Sequence, residues 1–247
     1  MANLDGIATL DSLIDRFKHP AEPLRIVFMG SSNTQRVTNI GNAQNWVDWV
    51  DLGLSCWYGR SHYAVNVGIS GQTTRDMLGR FQRDVAHFRP HVVFITAGGN
   101  DCNPVNQLSL DEFRSNLSTM IAETRKLGAL PIPQTYYCCD AARMEEAGEG
   151  DRARNFPAYM QTTREVAAAT GSPLIDHLGR WEALRRADLA TYRSLMADPL
   201  HMSAAGHAVF AVDVLRALGA DFDSRRDLLP FVAPALDLQR RLDSLCG

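Results

Sequence analysis

Short apolar runs alternating with stretches of helical periodicity constrain this chain more than any other feature. Arg25-Ile26-Val27-Phe28-Met29-Gly30, Tyr63–Val67, His91-Val92-Val93-Phe94-Ile95, Ala129–Thr135 and Pro173–Asp176 are each too brief for a buried helix. Helical periodicity marks Leu4–Lys18, which stops before Pro20, and a segment near Trp46–Cys56. It recurs over Thr74–Phe88, where Met77, Leu78, Phe81, Val85 and Phe88 share a face, and over Leu110–Leu127, Ala158–Thr170 and Ala204–Leu218. Strands separated by helices pair in parallel through right-handed crossovers. The pattern therefore predicts an α/β fold: a three-layer α/β/α, doubly wound, mainly parallel five-stranded sheet.

A chain of 247 residues, 45% hydrophobic and 21% charged, has the make-up of a globular protein with an ample core. With no internal repeat or linker, it reads as one domain over residues 1–247, its core spanning about 24–218. Arg143–Asn155, rich in Glu, Gly and Arg, reads as a solvated, mobile loop. Beyond Gly219 come Leu228, Leu229, Phe231, Leu236, Leu238, Leu242 and Leu245, a tail too apolar to hang in water. It packs back on the domain or against a second copy in a homo-oligomer.

A formal net charge of −3 offers no attraction for nucleic acid, and no apolar run is long enough for membrane insertion. Five cysteines without a secretory signal point to a reducing, cytoplasmic setting. Cys138-Cys139 has neither disulfide nor metal-ligand geometry, and no C-x-x-C or H-E-x-x-H occurs. Cys102 reads as a small buried hydrophobe near the Asn100 segment.

Ligands of doubly wound sheets lie beyond the carboxyl ends of the strands. Ser32, Gly71 and Asn100 each follow such an end. A serine hydroxyl becomes a nucleophile when an imidazole takes its proton, and the imidazole needs a carboxylate to fix its tautomer. Asp198-Pro199-Leu200-His201 places acid and base three residues apart in one loop. The backbone N–H groups of Ser32 and Gly71 and the amide of Asn100 would supply three donors for a developing oxyanion. The residues thus point to acyl transfer.

Four blocks in this order resemble the SGNH hydrolases, also called GDSL esterases and lipases. Gly30-Ser31-Ser32-Asn33-Thr34 is similar to the family's serine block, Asn66-Val67-Gly68-Ile69-Ser70-Gly71 to its glycine block, and Gly98-Gly99-Asn100-Asp101 to its asparagine block. Asp198 and His201 fit the last, with Gly206-His207 downstream. The resemblance implies a flavodoxin-like strand order, Ser32 as nucleophile, His201 as base, Asp198 as acid, and no metal or organic cofactor. It implies an oxyanion hole of Ser32, Gly71 and Asn100, with Asp101 in a supporting structural role. The usual acidic residue before the nucleophile is Ser31 here, and the usual aliphatic residue after it is Asn33.

Rival readings stand beside this one. Ser31 adjoins the nucleophile position, and Gly68-Ile69-Ser70-Gly71-Gln72 half matches a G-x-S-x-G elbow without its last glycine. His207 with Asp198 and His201 could ligate a metal, although a structural His207 fits better. Trp46 and Trp49, one helical turn apart, read as core. Asn33, Gln35, Arg36, Asn39, Asn42, Gln44 and Asn45, with Tyr136 and Tyr137 after the fourth strand, suggest a surface for a polar or sugar substrate. The family resemblance then implies a short-chain O-acyl esterase acting on acetylated sugars or another small ester. A thioesterase or lysophospholipase is the alternative, and a non-catalytic binding relative the third.

Overall fold

The computed structural model describes residues 7–36, 43–137, 139–222 and 233–246. Its sheet holds β1 (Leu24–Gly30), β2 (His62–Asn66), β3 (Val92–Thr96) and β4 (Leu130–Gln134), all parallel, in the order β2-β1-β3-β4. Ile26, Val27, Phe28 and Met29 of β1 are all buried, as both faces of a covered central strand must be. Val27 pairs with Val65 and Val93, and Phe28 with Phe94, whose ring stacks on it at 5.0 Å.

The sheet has four strands where the sequence predicts five, and the prolines of β4 explain the difference. Leu130 N–H points inward and donates to His91 of the β3 side. Pro131 and Pro133 therefore occupy the outward positions, where a proline has no hydrogen to give. The expected fifth strand, Pro173–Asp176, retains a single bridge: Ile175 N–H donates to Pro133 O (3.2 Å), and Thr135 N–H to Ile175 O (3.1 Å). That bridge still places the segment beyond β4, as a flavodoxin-like order requires.

Helices cover both faces. α1 (Leu10–Lys18) and α2 (Trp46–Tyr58) meet where Phe17 stacks on Tyr58. α3 (Thr74–Gly79), α4 (Phe81–Asp84), α5 (Leu110–Lys126), α6 (Ala141–Glu146) and α7 (Gly150–Thr170) follow, with α3 and α7 both packed on α5. α8 (His177–Ala187), α9 (Leu189–Ser194), α10 (Ala204–Ala217) and α11 (Ala233–Cys246) complete the layer containing α2, which α10 packs against. Trp46 is fully buried between Phe28 and Phe210, while Trp49 is only partly covered.

Several boundaries differ from the sequence reading. Thr9 caps α1, so that helix starts at Leu10, and Leu4 lies outside the described residues. Thr74–Phe88 is broken at Arg80 (φ −107°, ψ 3°), whose buried guanidinium turns inward to Gln72, Asp84 and Gly30 O. Arg143–Asn155, expected as a loop, is mostly helix. Its charges pair with one another, Glu149 with Arg152 and both Glu145 and Asp151 with Arg154, so a polar stretch of good helix formers folds around the turn at Gly148.

The apolar tail packs back on the chain as α11, against α8 and α10, burying Leu236 and Leu242. Gln239 is buried with them and donates to Val209 O and Asp213. Leu228, Leu229 and Phe231 lie outside the described residues.

Candidate active site

After Gly30 the chain makes one tight turn in which Thr34 N–H and Gln35 N–H both donate to Ser31 O, at 3.0 and 2.8 Å. Asn45 and Asn66 then donate their side-chain amides to Thr34 O, at 2.8 and 2.7 Å. Gly68 lies so close that a Cβ there would come within 2.3 Å of Gln35 N. The turn is thereby fixed at the carboxyl end of β1, with Ser32 at its apex.

The loop carrying Asp198 and His201 is built largely from its own backbone. Ala197 N–H donates to His201 O (2.8 Å), while Leu200 N–H and His201 N–H both donate to Asp198 Oδ1, at 2.8 and 2.7 Å. Asp198 Oδ2 lies 2.7 Å from His201 Nδ1. A carboxylate can only accept, so in the neutral imidazole the proton resides on Nδ1 and Nε2 is the acceptor. That nitrogen lies 2.9 Å from Ser32 Oγ and accepts its hydroxyl hydrogen. Partial burial works to raise the Asp198 carboxyl, but the bonds from His201 and the two backbone N–H groups outweigh it and hold the pKa at about 2. Ser203 caps α10 immediately downstream, where buried His207 accepts from Trp46 N–H and is lowered to about 3 by its burial.

The donor side comes from two other strand ends. Gly71, at φ +78°, holds a backbone conformation that favours glycine. Among the described residues, neither Ser32 N–H nor Gly71 N–H is given to an acceptor. Asn100 Nδ2 donates to Gln72 O at 2.8 Å, which leaves its second hydrogen. Buried Asp101 joins the two segments, accepting from Thr74 N–H (2.8 Å), Thr74 Oγ1 (2.5 Å) and Gly98 N–H (3.1 Å); desolvation raises its pKa against those bonds.

Other sequence-predicted residues find different surroundings. Asn33 is buried, and its amide faces the Asp–His loop: Oδ1 accepts from Met202 N–H (3.2 Å) and Nδ2 donates to Leu200 O (3.5 Å). Tyr136 and Tyr137 are buried, so they offer no open sugar-facing platform. Tyr136 bonds Ser31 Oγ at 2.9 Å, and burial pushes its phenol up to about 12; Tyr137 donates to Leu200 O. Ser31 thus faces a phenol rather than an imidazole. Burial pushes the Cys102 thiol up to about 12, and it donates to Gly99 O, so it is no nucleophile at neutral pH. Asn39, Asn42 and Cys138 lie outside the described residues.

Arg152 is the site residue that sequence reasoning missed. Its buried guanidinium contacts Gly99 O and Asn100 Oδ1 (2.8 and 2.9 Å), and nothing in Glu149-Gly150-Asp151-Arg152-Ala153-Arg154 distinguishes it from its exposed neighbour Arg154. Ser32, Asn33, Asn100, Tyr136, Arg152 and Leu200 line one shallow depression. Beside it, Met144, Glu149, Arg152, Asp198, Leu200 and His201 line a cavity of about 160 Å³. A larger cavity of about 460 Å³, bordered by Arg36, Asp48, Arg60 and His62, shares none of these residues. No helix among the described residues is long and apolar enough to cross a membrane.

Residues 28–209 match the model of the GDSL-like Lipase/Acylhydrolase family. An uncharacterized lipoprotein, YqeF, from Bacillus subtilis is 30% identical over 213 residues, 73% of this chain and 84% of that protein. An acetylxylan esterase from Geobacillus stearothermophilus is 27% identical over 167 residues, covering 64% of this chain and 73% of the relative. The crystal structure of Axe2, an acetylxylan esterase from the same organism, superposes with a TM-score of 0.69 at 24% identity, over 81% of this chain and 96% of its own.

Proposed function

We propose, since the chain belongs to the GDSL-like Lipase/Acylhydrolase family and is a carboxylic ester hydrolase, that Ser32, His201 and Asp198 form its catalytic triad and short-chain O-acyl esters of carbohydrates its substrates. The observation that carries the triad is the unbroken relay from Ser32 Oγ to His201 Nε2 (2.9 Å) and from Nδ1 to Asp198 (2.7 Å).

In this reading His201 Nε2 takes the Ser32 proton as Oγ attacks the acyl carbonyl. The negative charge on the carbonyl oxygen is met by Ser32 N–H, Gly71 N–H and the second hydrogen of Asn100 Nδ2. The imidazolium, steadied by Asp198, then protonates the departing alcohol oxygen, leaving an acyl-serine. Water deprotonated by His201 attacks that ester, and the carboxylic acid leaves as Ser32 Oγ recovers the proton from His201, the acid then ionising in solvent. Preorganised donors of this kind contribute roughly 3–4 kcal/mol each.

The cavity beside His201 supports a small substrate. Its volume of about 160 Å³ is small against the ~300–1,000 Å³ of common ligand pockets, and Glu149 and Arg152 line it with charge. Both features favour an acetyl-sized group and a hydrophilic alcohol over the long acyl chain of a thioesterase or lysophospholipase substrate. The relative named acetylxylan esterase supports the carbohydrate side of this reading.

Two measurements test it. A phosphonate or sulfonyl fluoride should label Ser32, and the adduct should vanish in His201→Ala; robust hydrolysis by Ser32→Ala would refute the assignment. Rates on acetyl through decanoyl esters should fall with length, and a preference above octanoyl would overturn the substrate class.

A further inference from the structure

We infer that Arg152 is the positioning residue of the oxyanion site, acting on the reacting oxygen through Asn100. An asparagine amide has two orientations of similar shape, and only one aims nitrogen at a developing anion. A guanidinium carries donors alone, so Arg152 Nη2, 2.9 Å from Asn100 Oδ1, requires oxygen at that place. The nitrogen is thereby turned the other way, where one hydrogen goes to Gln72 O (2.8 Å) and the second is left over.

Arg152 holds the backbone as well as the side chain. Its Nε donates to Gly99 O at 2.8 Å, so the same planar fork fixes the peptide preceding Asn100. Its Nη1 donates to Glu149 at 2.7 Å, which balances a charge otherwise costly to bury. The residue is 7% exposed and lies in the first turn of α7, whose later turns pack on α5.

The second effect is electrostatic. A charge-assisted bond is stronger than a neutral one, and bonds in series polarise one another. Accepting from a cation draws electron density toward Oδ1 and makes the Asn100 N–H a better donor. The arrangement places a positive charge behind the donor, on the opposite side of Asn100 from the Gln72 bond. Lysine keeps the charge but cannot grip Gly99, Asn100 and Glu149 in one plane.

This inference rests on Asn100 being an oxyanion donor, and the experiment separates the two. Kinetics on a soluble acetyl ester would be measured for Asn100→Ala, Arg152→Met, Arg152→Lys and both double variants, with the thermal midpoint of each. Asn100→Ala should lower kcat by about 100-fold or more. Arg152→Met should lower kcat about 10- to 100-fold with KM within about twofold, and Arg152→Lys by a smaller factor. With alanine at Asn100, either Arg152 substitution should change kcat by less than about threefold, because its route to the oxyanion has gone. Should Arg152→Met fail to fold, Arg152→Lys carries the same test.

A merely structural Arg152 would lower the thermal midpoint and multiply its kcat factor unchanged into the Asn100→Ala background; that result overturns the inference. So does a kcat within twofold of the parent for Arg152→Met. Full activity in Asn100→Ala would sink the reading of Asn100 itself, whatever the Arg152 variants do.

Discussion

The acid–base loop and the donor side of the site are built in opposite ways. Asp198 and His201 are set chiefly by bonds within the loop, the longest of them from Ala197 N–H to His201 O, four positions on. The donor side is assembled from distant segments: Asp101 ties Gly98 to Thr74, and Arg152 reaches back to Asn100. A locally encoded pair survives modest shifts of the scaffold. An assembly of strand ends is only as well placed as the buried polar groups that tie them.

The two halves should therefore answer mutation differently. The largest effect belongs to the local half. Asp198→Asn removes the acceptor that holds the proton on His201 Nδ1, and steady-state kinetics should show kcat lower by about 10³- to 10⁴-fold with KM little changed. Its effect on stability should be small. A carboxyl held at about 2 lies below the ~3.9 of an unfolded chain, so its stabilisation is complete above about pH 4 and is lost as pH falls through about 2. With 43% of the side chain exposed, solvent screening keeps that contribution under roughly 1 kcal/mol, and the gap between parent and Asp198→Asn in urea unfolding should narrow from pH 7 to pH 3 and close only below about pH 2.

The distant half should reverse that balance. Asp101→Ala leaves Thr74 and Gly98 donors buried and unpaired, costing about 2–4 kcal/mol in urea unfolding while kcat falls only about 10- to 100-fold. A stability loss under about 0.5 kcal/mol would remove Asp101 as the tie and erase the contrast between the halves.

Asn33 gives the smallest and sharpest test, since it joins Ser32's turn to the Asp–His loop. Asn33→Leu, which restores the aliphatic residue usual in the family, breaks the bonds to Leu200 and Met202 and should lower kcat about threefold to tenfold at a cost of about 1 kcal/mol. An unchanged kcat would show that the two loops align without it.

What the sequence disclosed follows the same division. Asp198 and His201 stand three apart in one loop, so their partnership needs no knowledge of the fold, and strand-end positions gave Ser32, Gly71 and Asn100 a common rim. Arg152 stayed hidden because its partners are about fifty positions away and its neighbours are ordinary surface charges. Residue type alone points Asn33 and Tyr136 toward a substrate; both are buried and bonded to Leu200, Met202 and Ser31, and both border the depression at Ser32. The fifth strand failed for a legible reason: Pro131 and Pro133 sit two apart, and that spacing decides which edge of β4 loses its donors.

Those two prolines also limit how the sheet can grow at its β4 margin. An incoming strand recruits a sheet by matching hydrogens to carbonyls along a bare margin, and the β4 margin withholds half of that handshake. The Ile175 bridge takes up what bonding that margin still offers, and the opposite β2 margin, where Tyr63 is 60% exposed, carries no proline.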